Sequence, residues 1–397
     1  MKKFFCAALI AATFVFTMPA FAAAKADAQA ASSAEIVVEA ESGRVLYEAN
    51  ADERLPMAST TKILTALIIV EDCDLDAVVT VPDACVGIEG SSIYLVAGER
   101  LTVRDLLYGL MLRSGNDCAE TLAVYHSGSI GKFAECMNGR ALSLGAKNSH
   151  FVNPHGLPDP EHYTTARDLG KIACKAMQNA AFKEIVSSRT AVVPDGGCGY
   201  ARTLVNKNKF LYNFDGANGV KTGFTKAAGR CLVASAERDG MQLISVVLNC
   251  GPMYERCGEL LEKAFSDYSY CKIFDAAANK YEVKTDVGHK ICIGACRKDI
   301  FYPLTQAEAE NIRIEADCPS PRKLPVNEGD ELGILRVYLE NQLLFSQKIY
   351  SINSVEKSWT DILRELARKF ARSEEECASI NILRQAASPA AARAISS

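Results

Sequence analysis

The stretch that most constrains this chain is Ile63-Leu64-Thr65-Ala66-Leu67-Ile68-Ile69-Val70, an unbroken run with one hydroxyl in it. A helix that is apolar around most of its girth has no face to offer water and has to be buried. Directly before it stand Ala58-Ser59-Thr60-Thr61-Lys62. Read helically, Ser59 and Lys62 are about one turn apart and share a face. Pro56 discourages helix upstream, and a serine in a first turn can cap free backbone N–H groups, which puts Ser59 at the helix start. Backbone N–H groups there face incoming negative charge. Burial carries Lys62 into low dielectric, where an ammonium gives up its proton more easily. The pair has the makings of a hydroxyl activated by a neutral amine. An SxxK tetrapeptide also arises by chance, and a capped helix with a snorkelling lysine would explain it, so the tetrapeptide alone decides nothing.

Met1-Lys2-Lys3 precedes an apolar run from Phe4 to Met18, and Ala20-Phe21-Ala22 has the small-x-small form of a cleavage site. Residues 1–22 therefore read as a secretory signal, with the mature chain starting near Ala23. Its apolar core is short for a span, and no later run reaches the roughly 18 apolar residues that one needs. The protein is expected to be exported without an N-terminal anchor, and Cys6 lies too early to be a lipid-attachment site. With 397 residues, 49% of them hydrophobic, two or three domains are allowed. A formal net charge of -4 argues against nucleic-acid binding by bulk electrostatics. The 15 cysteines are scattered without a tight framework, and Cys118, Cys136 and Cys174 sit in apolar helical contexts. Mostly free thiols are expected, as in a cell living without oxygen. Cys292 and Cys296 have a loose metal-like spacing but no second pair, so no zinc site is expected there.

Residues 23–33, rich in Ala and Ser, read as a flexible leader. Ile36-Val37-Val38 and Val45-Leu46-Tyr47 flank Glu41-Ser42-Gly43, a hairpin with Gly43 at the turn. Short strands and turns fill Val79 to Ala97, and Thr102-Val103-Arg104-Asp105 opens a helix through Met111. It halts at Arg113-Ser114-Gly115-Asn116-Asp117, a turn that presents two short polar side chains, and a second helix runs from Ala119 to His126. A turn-rich connection containing Asn153-Pro154-His155-Gly156-Leu157 and His162-Tyr163-Thr164-Thr165 follows, with Thr165 or its neighbour capping the next helix. His150, His155 and His162 fit no single helix face and read as loop residues holding backbone. Gly219-Val220-Lys221-Thr222-Gly223-Phe224 then precedes two strand-like runs, Arg230 to Ala236 and Gln242 to Asn249, so Lys221 lies on the first of several antiparallel strands. A glycine after it admits close approach of another backbone or a ligand.

SxxK at Ser59 to Lys62, SxN at Ser114 to Asn116 and KTG at Lys221 to Gly223 are, in this order, the three elements of the penicillin-recognising serine enzymes. Leu55 to Lys62, Ser91-Ser92-Ile93-Tyr94-Leu95 with Gly98-Glu99, Asn153 to Leu157 and His162 to Ala166 narrow the likeness. Over roughly residues 33 to 355 the chain resembles the low-molecular-mass penicillin-binding proteins that are D-alanyl-D-alanine carboxypeptidases.

The resemblance implies an α+β catalytic domain over 33–270, a five-stranded antiparallel sheet flanked by helices, and a small all-β domain over 271–355. It implies that Ser59 attacks the carbonyl between two D-alanines of a peptidoglycan stem pentapeptide with Lys62 as base, and that Ser114 relays a proton to the leaving amine. Asn116 would bind the substrate's backbone amide, Lys221 would supply positive charge beside Ser114, and Thr222 would bond the terminal carboxylate. Gly223 completes the KTG motif, and backbone N–H groups of Ser59 and Phe224 would hold the oxyanion. Arg256 matches an arginine that pairs with the substrate carboxylate. No cofactor or metal is called for, and β-lactam antibiotics would act as inhibitors. Phe224 departs from relatives with a polar residue there, and Cys118 replaces a small residue.

Two rival readings stand beside this one. A class A β-lactamase shares the motifs but needs a glutamate to position deacylating water, and neither Glu135 nor Glu161 has the expected local pattern. A non-catalytic wall-binding protein would not need all three motifs intact. After Tyr270 the catalytic motifs stop. Trp359, Ile362, Leu363, Leu366 and Phe370 fall on one helical face opposite Arg364, Arg368, Lys369 and Arg372, which reads as a helix over 356–372 lying on the outer surface of the cytoplasmic membrane. Packing onto the β-rich domain is the alternative for that face. The Ala- and Ser-rich residues 373–397 read as a disordered tail.

Overall fold

The computed structural model describes residues 34–371. The expected signal at 1–22, the leader up to residue 33, Arg372 and the tail at 373–397 lie outside them.

The hairpin forms as expected, β1 (Ala34–Glu39) pairing antiparallel with β2 (Val45–Ala49). Gly43 takes φ 71 at the turn, where a side chain would be strained. The Glu39 carboxylate accepts the N–H groups of Glu41 and Ser42 at 3.0 and 2.8 Å. Three later strands form a meander, β3 (Ala217–Thr225), β4 (Gly229–Arg238) and β5 (Met241–Leu248). β1 inserts beside β5, from Ala34↔Leu248 to Glu39↔Leu243. The result is a five-stranded antiparallel sheet of order β2-β1-β5-β4-β3, with the KTG strand at one edge.

The apolar run forms α1 (Lys62–Asp72), with every residue from Lys62 to Ile69 buried. It packs against α2 (Val103–Leu112), α3 (Asn116–Ser127), α4 (Ile130–Ser143), α5 (Ala166–Met177) and α6 (Ala180–Ser187), and the all-round burial that its composition demands is met. Thr102 and Asp105 close a reciprocal cap on α2. Thr165 caps α5 by accepting the N–H of Asp168. A further long helix, α7 (Met253–Asp267), follows the sheet.

Two local expectations need correction. Ser59 does not cap α1; it lies in a 3-10 turn, Ala58–Thr61, that leads into the helix, and its hydroxyl is left free for other partners. α3 begins at Asn116 rather than Ala119, because Gly115 supplies the break and Asn116 is already helical.

The chain divides into two compact units, one ending at Ala236 and taking in Leu243–Leu261, the other comprising Glu237–Gln242 and the chain from Glu262 onward. The second unit is β-rich, with β6 (Ser269–Phe274), β7 (Lys280–Lys284), β8 (Ile291–Ala295), β9 (Ile300–Leu304), β10 (Ile312–Asp317), β11 (Glu331–Leu339) and β12 (Gln342–Ser351). Five of these form a sheet of order β7-β8-β12-β11-β10, and β6 pairs with β9. Its core gathers Val283, Leu332, Leu335, Val337 and Ile349.

Residues 359–371 form a helix whose start is tied down by Asp361, which accepts Lys290 at 2.7 Å and the Ser358 N–H at 2.9 Å. Its apolar side chains Trp359, Leu363, Leu366 and Phe370 are exposed, so packing onto the β-rich unit does not account for that face. Among the described residues no helix is long and apolar enough to cross a membrane. The described cysteines are free thiols; Cys118 and Cys174 are buried as expected, whereas Cys136 is only half-buried.

Candidate active site

The turn that carries Ser59 is fastened by its neighbours. Thr60 and Thr61 donate back to the carbonyls of Met57 and Ala58 at 2.6 and 2.8 Å. His162 accepts the Val152 N–H at Nδ1, 3.1 Å, so Nε2 carries the hydrogen and donates to Thr61 Oγ1 at 2.8 Å. Gly156, at φ 90, presses so closely on the Ala58 carbonyl that a Cβ there would sit 1.8 Å from the oxygen. Ser59 itself is half-buried and reachable.

Lys62 is completely buried, and its Nζ has three neighbours: Asn116 Oδ1 at 2.7 Å, the His155 carbonyl at 2.7 Å and Ser59 Oγ at 3.2 Å. Burial, then the charge of Lys221, hold its pKa well below that of a free lysine. A neutral amine has two N–H donors and one lone pair. With the two short contacts taking the donors, the lone pair is left for the third neighbour, the Ser59 hydroxyl. That is the arrangement a general base needs.

The SxN segment reaches the same place. Ser114 is nearly buried on backbone at φ 65, a conformation that costs on the order of 1 kcal/mol or more for a side-chain-bearing residue. Two residues on, Asn116 accepts from Lys62 and donates from Nδ2 to the Glu89 carbonyl at 2.5 Å. Asp117, fully buried, accepts Ser92 Oγ at 2.6 Å and the N–H groups of Ile93 and Leu95 at 3.2 and 3.1 Å. The same loop is gripped from its other side by Arg202, which donates to the carbonyls of Ile93 and Tyr94 and makes a buried two-pronged ion pair with Glu99.

KTG closes the site from the sheet edge. Gly223 packs on the Ser59 turn, where a Cβ would meet Met57 O at 3.0 Å and Ser59 N at 3.1 Å. Lys221 is buried and donates to the Thr222 carbonyl at 3.0 Å. Burial, assisted by the charge of Lys207, lowers its pKa to about 7. Thr222 is half-buried, and Phe224 is exposed with Arg230 over its ring. The SxxK, SxN and KTG segments thus converge on one locus.

Asn116 and Arg256 meet their expected roles differently. Asn116 ties Lys62 to the Glu89 segment with one lone pair of Oδ1 and one hydrogen of Nδ2, which leaves one N–H and one lone pair of the amide for a substrate amide. Arg256 stands elsewhere: it forks onto buried Glu35 of β1 at 2.9 and 2.8 Å and touches Tyr47 of β2. Glu35 pairs with it strongly enough to raise its pKa further, and β1 and β3 have two strands between them. Glu135 and Glu161 are exposed, and Glu161 meets the histidine loop through its backbone, the carbonyl facing His150 Nδ1 and the N–H donating to Asp159.

The sequence motifs also left part of the site unseen. His155 accepts the Leu157 N–H at Nδ1 and donates from Nε2 to Glu120 at 3.2 Å. Burial, with Lys62 nearby, lowers its pKa to about 3, so the ring is neutral while its carbonyl holds Lys62. Glu120 lies one helical turn beyond Asn116, and that spacing was the available clue.

A sequence model described as D-alanyl-D-alanine carboxypeptidase matches residues 20–251. The chain belongs to the D-alanyl-D-alanine carboxypeptidase family. A second model, for the penicillin-binding protein 5 C-terminal domain, matches residues 272–357. The chain is 31% identical over 340 residues to D-alanyl-D-alanine carboxypeptidase DacF of Bacillus subtilis, covering 81% of this chain and 85% of that protein. It is 40% identical over 222 residues to a D-alanyl-D-alanine carboxypeptidase of Streptomyces sp. strain K15, covering 52% and 76%. Among solved structures, penicillin-binding protein 5 of Haemophilus influenzae aligns with a TM-score of 0.68 at 26% identity, over 82% of this chain and 97% of that one.

Proposed function

We propose that this family member is a serine D-alanyl-D-alanine carboxypeptidase that trims the terminal D-alanine from peptidoglycan stem pentapeptides. The observation that carries the reading is the buried Lys62 amine, with two short acceptors and Ser59 Oγ as its third neighbour. Ser59 Oγ attacks the carbonyl between the two D-alanines as its proton passes to Lys62. The N–H groups of Ser59 and Phe224 receive the oxyanion, each worth about 10²- to 10³-fold in rate at sites of this kind. The C–N bond breaks, the departing amine of D-alanine takes a proton relayed through Ser114, and an ester to Ser59 remains. Water, deprotonated by the same amine, hydrolyses the ester. Lys221 supplies positive charge and Thr222 a hydroxyl to the substrate's terminal carboxylate.

Penicillins would acylate Ser59 by the same attack and leave slowly, because neither Glu135 nor Glu161 is available to position water. Incubating the protein with a diacetylated Lys-D-Ala-D-Ala tripeptide should release D-alanine. A fluorescent penicillin should label the protein and fail to label Ser59→Ala. Absence of D-alanine release, or rapid catalytic penicillin hydrolysis, would overturn the assignment.

The exposed apolar face of the 359–371 helix supports peripheral attachment to the outer surface of the cytoplasmic membrane, with Arg364, Arg368 and Lys369 facing lipid headgroups. Truncation before Lys357 should shift the protein from the membrane to the soluble fraction; unchanged fractionation would refute this.

A further inference from the structure

Outside the catalytic cluster, three metal-ligating side chains from three helices meet. Asp72 is the last residue of α1, His126 lies in the last turn of α3, and Cys136 is in the middle of α4. Their ligand atoms, a carboxylate oxygen, Nε2 and Sγ, all lie within 4.8 Å of one another. His126 Nε2 is 3.2 Å from Asp72 Oδ2, and its Nδ1 is 2.7 Å from Ser127 Oγ. Without a cation, Nε2–H donates to the Asp72 carboxylate and Nδ1 accepts from the hydroxyl; the other tautomer, with Nδ1–H donated to that hydroxyl, turns the Nε2 lone pair to the centre of the trio. Second-shell bonds of this kind orient ligating histidines elsewhere.

We infer that Asp72, His126 and Cys136 bind one borderline-soft divalent cation of the Zn2+ class, with water in the fourth position. Bond lengths of about 2.0–2.3 Å put the ligand atoms of a tetrahedral zinc site roughly 3.3–3.8 Å apart, so side-chain shifts of an ångström or less close the trio. The imidazole and thiolate donors disfavour Ca2+ and Mg2+, which take oxygen ligands. Asp72 also accepts from Arg140 at 3.0 Å, and Arg140 bonds the neighbouring Glu71. The guanidinium therefore has a second carboxylate to hold when the cation takes one Asp72 oxygen. The thiol proton of Cys136 leaves to solvent as the S–metal bond forms.

The cation is structural. α1 rises about 1.5 Å per residue, which puts Asp72 about 15 Å from Lys62. The site would pin the far end of the helix that begins at Lys62 to the far end of the helix that begins at Asn116, fixing the pair whose near ends meet in the catalytic cluster.

The test is a Zn2+ titration of the full chain, kept reduced with a phosphine. One equivalent is expected to bind, with Tm rising as Zn2+ is added. Co2+ in its place should give a thiolate-to-cobalt charge-transfer band. Cys136→Ser should lose that band, and both Cys136→Ser and His126→Ala should lose at least about tenfold in affinity while still reacting with a fluorescent penicillin, which reports that they are folded. No Zn2+ binding by the parent chain would overturn the inference. So would equal stoichiometry and affinity in Cys136→Ser, since the other free thiols would then be the ligands.

Discussion

Asn116 Oδ1 accepts a 2.7 Å hydrogen bond from Lys62 Nζ, the same nitrogen that stands 3.2 Å from Ser59 Oγ. The amide therefore aims the base. Lys62→Met should lower the rate of acylation by about 10²- to 10⁴-fold, the range for loss of a general base. Asn116→Ala leaves the amine in place but unaimed, and should cost about tenfold, the worth of one hydrogen bond. Stopped-flow acylation by a fluorescent penicillin reads both; equal rates for Asn116→Ala and the parent would remove the amide from the mechanism.

The two buried lysines predict opposite limbs of a pH profile. Acylation needs Lys62 neutral, so its rate falls as pH drops through the lowered pKa of that amine. Lys221 loses its charge as pH rises through about 7, so KM for the carboxylate-bearing substrate rises above that point. The stability sign is fixed as well. The folded chain binds this proton less readily than the unfolded chain, which has an ordinary lysine pKa, so the contribution of Lys221 to stability improves from about pH 7 towards 10.5. The Tm advantage of Lys221→Met over the parent should shrink across that interval. A KM that is flat from pH 6 to 9 would contradict the assignment of Lys221 to the carboxylate.

Glu120 acts through His155. Burial raises its carboxyl pKa, yet it accepts the imidazole N–H whose backbone carbonyl holds Lys62. Glu120→Gln retains an acceptor oxygen and should keep most of kcat. Glu120→Leu should lower kcat several-fold with KM nearly unchanged, because the residue positions the base without touching substrate. Steady-state kinetics on the tripeptide distinguish the two variants, and indistinguishable kcat values would make the contact merely structural.

Arg202 and Glu99 form a buried ion pair that holds the 91–96 loop. Arg202→Met leaves the Glu99 carboxylate buried without its partner, a change that costs about 3–5 kcal/mol. Adding Glu99→Leu should recover much of the loss. Urea unfolding measures both, and a single variant as stable as the parent would show the pair contributes little.

The motifs made the catalytic locus legible because their chemistry resides in side chains: Ser59, Lys62, Ser114, Lys221 and the glycine that clears space beside Ser59. His155 escaped notice as a site residue because it contributes a carbonyl, which every residue has. Arg256 was misplaced because its partner, Glu35, is 221 residues away in sequence and nothing local announces it. α3 starts three residues before the expected Ala119 because Gly115 alone makes the break, and a polar Asn116 in the first helical turn looks the same in sequence as one in the preceding loop.

β3 bonds to a neighbouring strand, β4, on one side only. Its other margin has no strand partner among the described residues, and at Gly223 the strand packs on the Ser59 turn. An extended peptide laid there would be gripped by its own amides, whatever its side chains, and slid until its scissile bond met the serine. Recognition would then be divided, the backbone fixing alignment and Thr222 and Lys221 counting off the chain end.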